Sequence, residues 1–304
     1  MVTMSQAKVV AAIVAYRPDE PLLRRVVDAT AQMVSEVIVV KNDCDAWAND
    51  LKGLITLYEP GDNIGLAAAY NLAAEHARRE GATHLLLLDQ DSVPAPGMVE
   101  RLLREYGRPE KIAAVGPVWR DPRTGKLGSL TVRFGSRHVP QPGEVAEVLF
   151  LISSGSLISL SAFSDIGPFD DNLFIEHVDT DWSLRARAKG YRLYGVADAI
   201  LEHTIGEGVI AASGTGRTAY QYPPERTYYL TRNSIRLWRR PYATWRWRLF
   251  DAWRLLRLLT LYLTFASQRR ERLLSVVHGV RDAFRSEIGK RPTPAAGRKQ
   301  DYGR

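Results

Sequence analysis

Five short apolar runs, separated by stretches with helical periodicity, constrain this chain more than any other feature. They lie at residues 9–16, 37–40, 55–58, 84–88 and 112–118. The first is rich in valine and leads into Pro18-Asp19-Glu20-Pro21 and a Leu22, Leu23, Val26, Val27, Ala29 face, which reads as a strand followed by a helix start. Residues 65–79 and 97–106 carry further helical patterns. Runs that are apolar throughout, instead of alternating, suit strands buried on both faces of a sheet by covering helices. The expected body is therefore α/β and doubly wound, with a Rossmann-like, mainly parallel sheet. No G-x-G-x-x-G or G-x-x-x-x-G-K-[ST] follows any of these runs, so a nucleotide, if bound, is held differently from a dinucleotide or a P-loop ligand.

The 304 residues are 45% apolar and 25% charged, enough for a large core and inconsistent with wholesale disorder. Cys44 is alone, which excludes an internal disulfide and a thiolate zinc cluster and fits a reducing cytoplasm. Residues 1–8 lack the basic-then-apolar order of a secretory leader, and no stretch of 18 uncharged apolar residues exists, so no membrane span is expected. Charge is divided along the chain. Residues 226–304 hold 19 Lys and Arg against 5 Asp and Glu, while residues 1–225 hold 22 against 29. An acidic body with a basic tail suggests chemistry in the first and attachment to something anionic in the second. The expected organisation is a catalytic domain over 1–240, a basic amphipathic helical region over 241–290 that associates with a membrane or with a second copy, and a disordered tail over 291–304.

The strongest local signal is Asp89-Gln90-Asp91, directly after four leucines. It puts two carboxylates where a central strand ends, the crevice position for ligands in open α/β sheets. Residues i and i+2 of extended chain face the same way, so both can converge on one hard cation. An acidic turn is the plainer account of a bare D-x-D. Upstream, Asn63 suits a helix cap, Gly65 permits close backbone approach, and three alanines then allow tight helix packing. A second acidic group, Glu176, Asp179 and Asp181, sits between Phe174-Ile175 and Trp182, Leu184 and Arg185, at the start of a helix closed by Gly190. Crowding these carboxylates is costly unless metal, arginine or an acceptor hydroxyl partners them; a solvated acidic loop is the bland alternative.

Taken together, residues 63–71 and Leu87-Leu88-Asp89-Gln90-Asp91-Ser92 resemble the nucleotide-sugar-binding half of family 2 glycosyltransferases, and among them the bacterial rhamnosyltransferases, over residues 9–237. The resemblance implies a GT-A fold and an inverting transfer of a sugar, foremost L-rhamnose from dTDP-L-rhamnose, to a hydroxyl of a lipid-linked glycan acceptor, with another hexose or galactofuranose donor as the near alternative. It implies a divalent metal, Mg2+ or Mn2+, on Asp89, Asp91 and His203. It assigns nucleotide-sugar contacts to Tyr16, Arg17, Asn42, Asp43, Asn63, Gly65, Asn71, Asp89, Gln90, Ser154, Gly155 and Arg232. Asp179 falls to the general base, supported by Asp181, Trp182 and Arg185. Two positions depart from the family pattern: Lys41 stands where an aspartate usually holds the base, and Val178 replaces the first acid of a Glu-Asp pair. Residues 206–224, rich in small polar residues, read as a mobile lid or a surface loop.

Residues 245–266 mix Trp245, Trp247, Leu249, Phe250 and Trp253 with Arg246, Arg248, Arg254 and Arg257. On a helix Arg246, Arg254 and Arg257 share one side and leave a broad aromatic and leucine face, suited to an anionic membrane interface. Packing on the body or on a second copy is the alternative. The expected location is the cytoplasm, peripheral on the inner membrane face. Two other classes compete: a nucleic-acid binder that stacks bases on Trp and Tyr, against which the acidic body argues, and a membrane-surface scaffold with an inactive catalytic domain.

Overall fold

The computed structural model describes residues 7–43, 51, 53–134, 136–203, 208–212, 217–285 and 288–291. Cys44, residues 206, 207 and 213–216 of the expected lid or loop, and the expected tail from 292 onward lie outside the described residues. In chain order the elements are β1 (Val9–Ala15), α1 (Glu20–Ala31), β2 (Glu36–Lys41), β3 (Thr56–Tyr58), α2 (Leu66–Arg79), β4 (His84–Asp89), β5 (Ser92–Pro94), α3 (Met98–Arg104) and β6 (Ile112–Arg120). A small hairpin β7 (Leu130–Arg133) and β8 (Ser136–His138) precedes β9 (Val145–Glu147), β10 (Leu157–Ser159), α4 (Leu160–Ile166), α5 (Val178–Ala188) and β11 (Arg192–His203). A ribbon of β12 (Gly208–Ala212) and β13 (Arg217–Gln221) leads to α6 (Pro224–Trp238), α7 (Trp245–Phe265) and α8 (Arg269–Phe284).

The five apolar runs are all strands of one sheet, ordered β3-β2-β1-β4-β10-β6-β11-β5, with β9 beside β11. The sheet is mixed, with its longer strands paired in parallel. β1, β2, β3 and β4 pair in parallel, as do β6 and β11. β10 enters antiparallel between β4 and β6, while β5 and β9 run antiparallel to β11. Those three strands are only three residues long, too short to stand out in sequence as apolar runs.

Side chains of β1 alternate between two cores. Val10, Ala12 and Val14 meet α2, α4 and α5, whereas Val9, Ala11, Ile13 and Ala15 meet α1 and α3. Burial on both faces is why β1 is apolar at every position. Asp19 caps α1 by accepting from the Leu22 amide at 2.9 Å, as the sequence predicts. The expected Asn63 cap is not formed: the residue before α2 is Gly65, at φ 86°, and Asn63 Oδ1 instead accepts from the Gly65 amide at 2.9 Å. A Cβ on Gly65 would sit 2.5 Å from the Phe174 ring, so the close approach required there is to protein.

The C-terminal helices are tied to this body. The Tyr228 hydroxyl donates to Asp282 at 3.1 Å, Arg272 donates to the Tyr222 carbonyl at 2.8 Å, and the Gly289 amide donates to the Asn172 carbonyl at 2.9 Å. Residues 208–212 and 217–221, read from sequence as lid or loop, form the antiparallel ribbon.

Candidate active site

Parallel pairing aligns the ends of β1, β2 and β4. Val14 pairs with Val40 and with Asp89, and Ala15 with Lys41, so the residues that follow emerge along one rim. Gln90 Oε1 accepts from the Tyr16 amide at 2.6 Å and Asp43 Oδ2 from the Arg17 amide at 2.6 Å. Asn42 Oδ1 accepts from the Ile64 amide at 2.8 Å. The polar side chains after each strand thus lace the rim together, and Tyr16 is left 43% exposed at its edge. Lys41 buries its stem and pairs with Glu59 at 2.8 Å.

A short turn after Asp89 reverses the chain into β5, which pairs with the end of β11 so that Ser92 lies opposite His203. That register brings Asp89, Asp91 and His203 together, with one ligand atom of each within 4.8 Å of the others. His203 Nδ1 lies 2.8 Å from the Ser92 hydroxyl and 3.4 Å from Asp91. Burial raises the Asp89 carboxyl; the His203 charge opposes that, and the Asp91 charge adds to it. Burial opposes the charged form of His203, yet its bond to Asp91 and the nearby Asp89 outweigh it and hold the imidazole above its ordinary value. Two carboxylate oxygens and an imidazole nitrogen, all partly buried and close together, form a donor set that fits a hard divalent cation.

Asp179 opens the first turn of α5. Burial pushes its carboxyl up to about 6; the Thr180 amide at 2.7 Å restrains that rise and the Glu176 charge adds to it. The dipeptide Ser153-Ser154 joins the two acidic groups: the Ser153 amide donates to Asp179 Oδ2 at 3.3 Å, and Ser154 Oγ accepts from the Asp89 amide at 3.1 Å. Tyr70, fully buried on α2, donates to Asp89 Oδ1 at 3.3 Å, and its phenol is held well above its ordinary value by burial, then by Asp89, Asp179 and Asp91. The carboxylates at residues 89, 91 and 179 therefore share one cleft. Gly155, at φ 84°, is required by the fold: its amide donates to the Leu87 carbonyl, and a Cβ would lie 2.4 Å from Pro117.

Immediately before α5 the backbone takes positive φ at Phe174, Glu176 and His177, each near 65°. Such conformations cost about 1–3 kcal/mol apiece and persist only where surroundings over-determine them. Arg232 and Asn233 do so here. Arg232, with no exposed surface, donates to the carbonyls of Asn172, Leu173 and Gly289 at 2.8–3.0 Å. Asn233 donates to those of Leu173, Ile175 and Glu176 at 2.8–2.9 Å. Arg232, assigned above to a phosphate contact, is spent on this loop instead. Asn71 is likewise engaged, donating to the Phe169 carbonyl and Asp171 and accepting from the Phe169 amide.

The residues expected to support Asp179 are packed beneath the first turn of α5. Asp181 is fully buried, accepting from Arg185 at 2.9 Å and from the Tyr242 hydroxyl, and the Trp182 indole donates to the Gly167 carbonyl at 3.0 Å. His177 is buried at the head of α5, with its Nε2 3.1 Å from Arg254 Nη2 of α7 and 2.9 Å from Ser234 Oγ of α6. Arg254 in turn grips buried Asp251 at 2.7 Å. Arg254 and Trp247 thus face the body, in contrast to the single basic side and outward aromatic face expected of α7.

A mixed sheet with acidic residues at its rim and helices on both faces is the architecture of the GT-A type of glycosyltransferase. Residues 11–167, just over half the chain, match the model of glycosyl transferase family 2, and the protein belongs to that family. It is 28% identical over 242 residues to a dTDP-rhamnosyl transferase RfbF of Shigella flexneri, an alignment covering 77% of this chain and 81% of that protein. Among solved structures, S. aureus TarS 1-349 in complex with UDP-GlcNAc superimposes with a TM-score of 0.54 at 14% identity, covering 92% of this chain and 81% of TarS. GalNAc-T7 with UDP, GalNAc and Mn2+ gives 0.54 at 15% identity over 81% of this chain, which spans 54% of the GalNAc-T7 chain.

Proposed function

We propose that the protein is an inverting, metal-dependent glycosyltransferase that moves L-rhamnose from dTDP-L-rhamnose to a hydroxyl of a glycan, lipid-linked during cell-surface polysaccharide synthesis. The observation that carries the reaction class is the bridge at Ser153-Ser154, which ties the metal-type trio to a buried carboxylate of raised pKa. The donor rests on the likeness to a dTDP-rhamnosyl transferase.

Asp89, Asp91 and His203 would hold Mg2+ or Mn2+, which would supply positive charge to stabilise a departing diphosphate. Tyr16, Arg17, Asn42 and Asp43 line the rim where the nucleoside lies. Asp179 accepts the proton of the acceptor hydroxyl as that oxygen attacks C1 from the face opposite the leaving group, and one displacement inverts the anomeric centre. A carboxylate near pKa 6 is a better proton acceptor than one at about 3.9, and it is still ionised at neutral pH. Asp181, Trp182 and Arg185 keep the first turn of α5 rigid beneath it.

The acceptor's membrane is the reading for the tail. Trp245, Leu249, Trp253 and Leu256 are exposed along one stripe of α7, with Arg246 and Arg257 also exposed; Leu273, Val277, Val280 and Phe284 form a second exposed stripe on α8 near Arg270, Arg281 and Arg285. Apolar stripes flanked by cations suit an anionic interface, each cation contributing about 1 kcal/mol. Among the described residues no helix is long and apolar enough to cross a membrane.

The test is nucleotide release from a panel of dTDP-, UDP- and GDP-sugars with a lipid-linked acceptor, with and without chelator. Selective turnover of dTDP-L-rhamnose, abolished by chelation, is expected; turnover of a UDP-hexose alone would reject the donor, and chelator-resistant turnover would reject the metal.

A further inference from the structure

With Arg232 committed to the loop, the cleft needs another cation for the donor's diphosphate. Arg226, on the first turn of α6 and paired with Glu176 ahead of α5, is the candidate. Its Nε donates to Glu176 Oε1 at 2.7 Å, its Nη2 pairs with the same oxygen at 2.7 Å, and its guanidinium lies 4.2 Å over the ring of Tyr222. The side chain remains 37% exposed, so it is anchored on one edge and open on another. Glu176 belongs to the positive-φ turn that Arg232 and Asn233 hold, two residues before α5, so the anchor is as fixed as the turn itself. Glu176 lies three residues before Asp179, so this anchor holds the guanidinium at the head of the helix that carries the candidate base.

We propose that Arg226 binds the diphosphate of the nucleotide sugar, with Glu176 and the Tyr222 ring as the positioning groups that aim its fork. A guanidinium carries five donors in a plane, and two directed at Glu176 leave others on the open edge for phosphate oxygens, a geometry lysine cannot reproduce. As the bond from C1 to the phosphate breaks, negative charge grows on the diphosphate, and a preoriented cation there is worth more to the departing group than to the intact donor. The inference rests on the nucleotide-sugar reading above and deepens it by naming a residue for the phosphates.

The experiment measures affinities of the full chain for dTDP, UDP, dTMP and UMP by calorimetry, with and without Mn2+, in wild type, Arg226→Gln, Arg226→Lys and Glu176→Gln. Arg226→Gln is expected to lose tenfold or more in diphosphate affinity while monophosphate affinity changes less than twofold. Arg226→Lys should lose threefold or more, and Glu176→Gln two- to fivefold, because the aim and not the charge is disturbed. Should Arg226→Gln fail to fold, as judged by thermal denaturation, the Lys variant carries the test. Wild-type diphosphate affinity in the Gln variant, or in the Lys variant in that event, would overturn the role of Arg226 alone. Absence of dTDP and UDP binding by the wild-type protein would overturn both this role and the nucleotide-sugar reading.

Discussion

The rim of the sheet and the C-terminal helices use charge in opposite ways. At the rim, Asp89, Asp91 and His203 are partly buried and close together, a donor set that suits a hard cation. In the helices, Arg232, Arg254 and Arg272 are drawn inward, where backbone carbonyls, Asp251 or an aromatic ring take up their donors. The surplus of basic residues in the tail is therefore two populations: one that braces the loop ahead of Asp179, and one, including Arg246, Arg257 and Arg270, that remains at the surface. Formal charge counts distinguish neither, because a helix buried on several sides carries both.

Substitutions in the two regions should separate these roles. The largest effect is expected at the rim: Asp91→Asn should lower kcat/KM by about 10³-fold, roughly 4 kcal/mol of transition-state stabilisation, with a melting temperature close to wild type. Steady-state kinetics alongside calorimetric melting checks this, and a large loss of stability would place Asp91 with the bracing residues. Arg232→Met should do the reverse, costing about 3 kcal/mol or more of folding stability by leaving carbonyls of a positive-φ turn unpaired, as read by denaturant titration. Asp251→Asn should loosen the Arg254 clamp on His177 and lower kcat several-fold, with little change in the donor KM. An altered donor KM at constant kcat would disconnect α7 from the turn that precedes α5. The smallest effect belongs to the surface population: Trp253→Glu should weaken sedimentation with anionic vesicles while leaving turnover of a soluble acceptor unchanged.

The strands and the acidic rim were legible in sequence for a physical reason. Strands covered on both faces must be apolar throughout, and a D-x-D immediately after one of them has few places to point. The partnership with His203 came from family resemblance; what forms it is the antiparallel return of β5 against β11, and β5 is too short to register as a pattern. Arg232 lies within a stretch of α6, residues 227–234, that is buried at every position, and Arg226 falls just before it, so periodicity carried no information about which arginine meets solvent. Nor does sequence show that carbonyls at residues 172–176 turn toward α6, which is what claims Arg232 and Asn233. Gly65 and Gly155 read as making room for a ligand because glycine reports only that something comes close. Here the neighbours are Phe174 and Pro117.

The pH dependence offers a further check on Asp179. A base must be ionised to act, so kcat/KM should rise with pH through an apparent pKa near 6 and level off above it. An acid limb centred near 4 would mean that burial of this carboxyl does not govern turnover.

The division of labour within the cleft is tested most directly by measuring, on the same preparations, Mn2+-dependent dTDP binding and transfer to acceptor for Asp91→Asn and Asp179→Asn. Asp179→Asn should bind the nucleotide with wild-type affinity and lose transfer by 10²-fold or more, while Asp91→Asn should lose the metal-dependent part of binding. Wild-type transfer by Asp179→Asn, or intact metal-dependent binding by Asp91→Asn, would contradict the account.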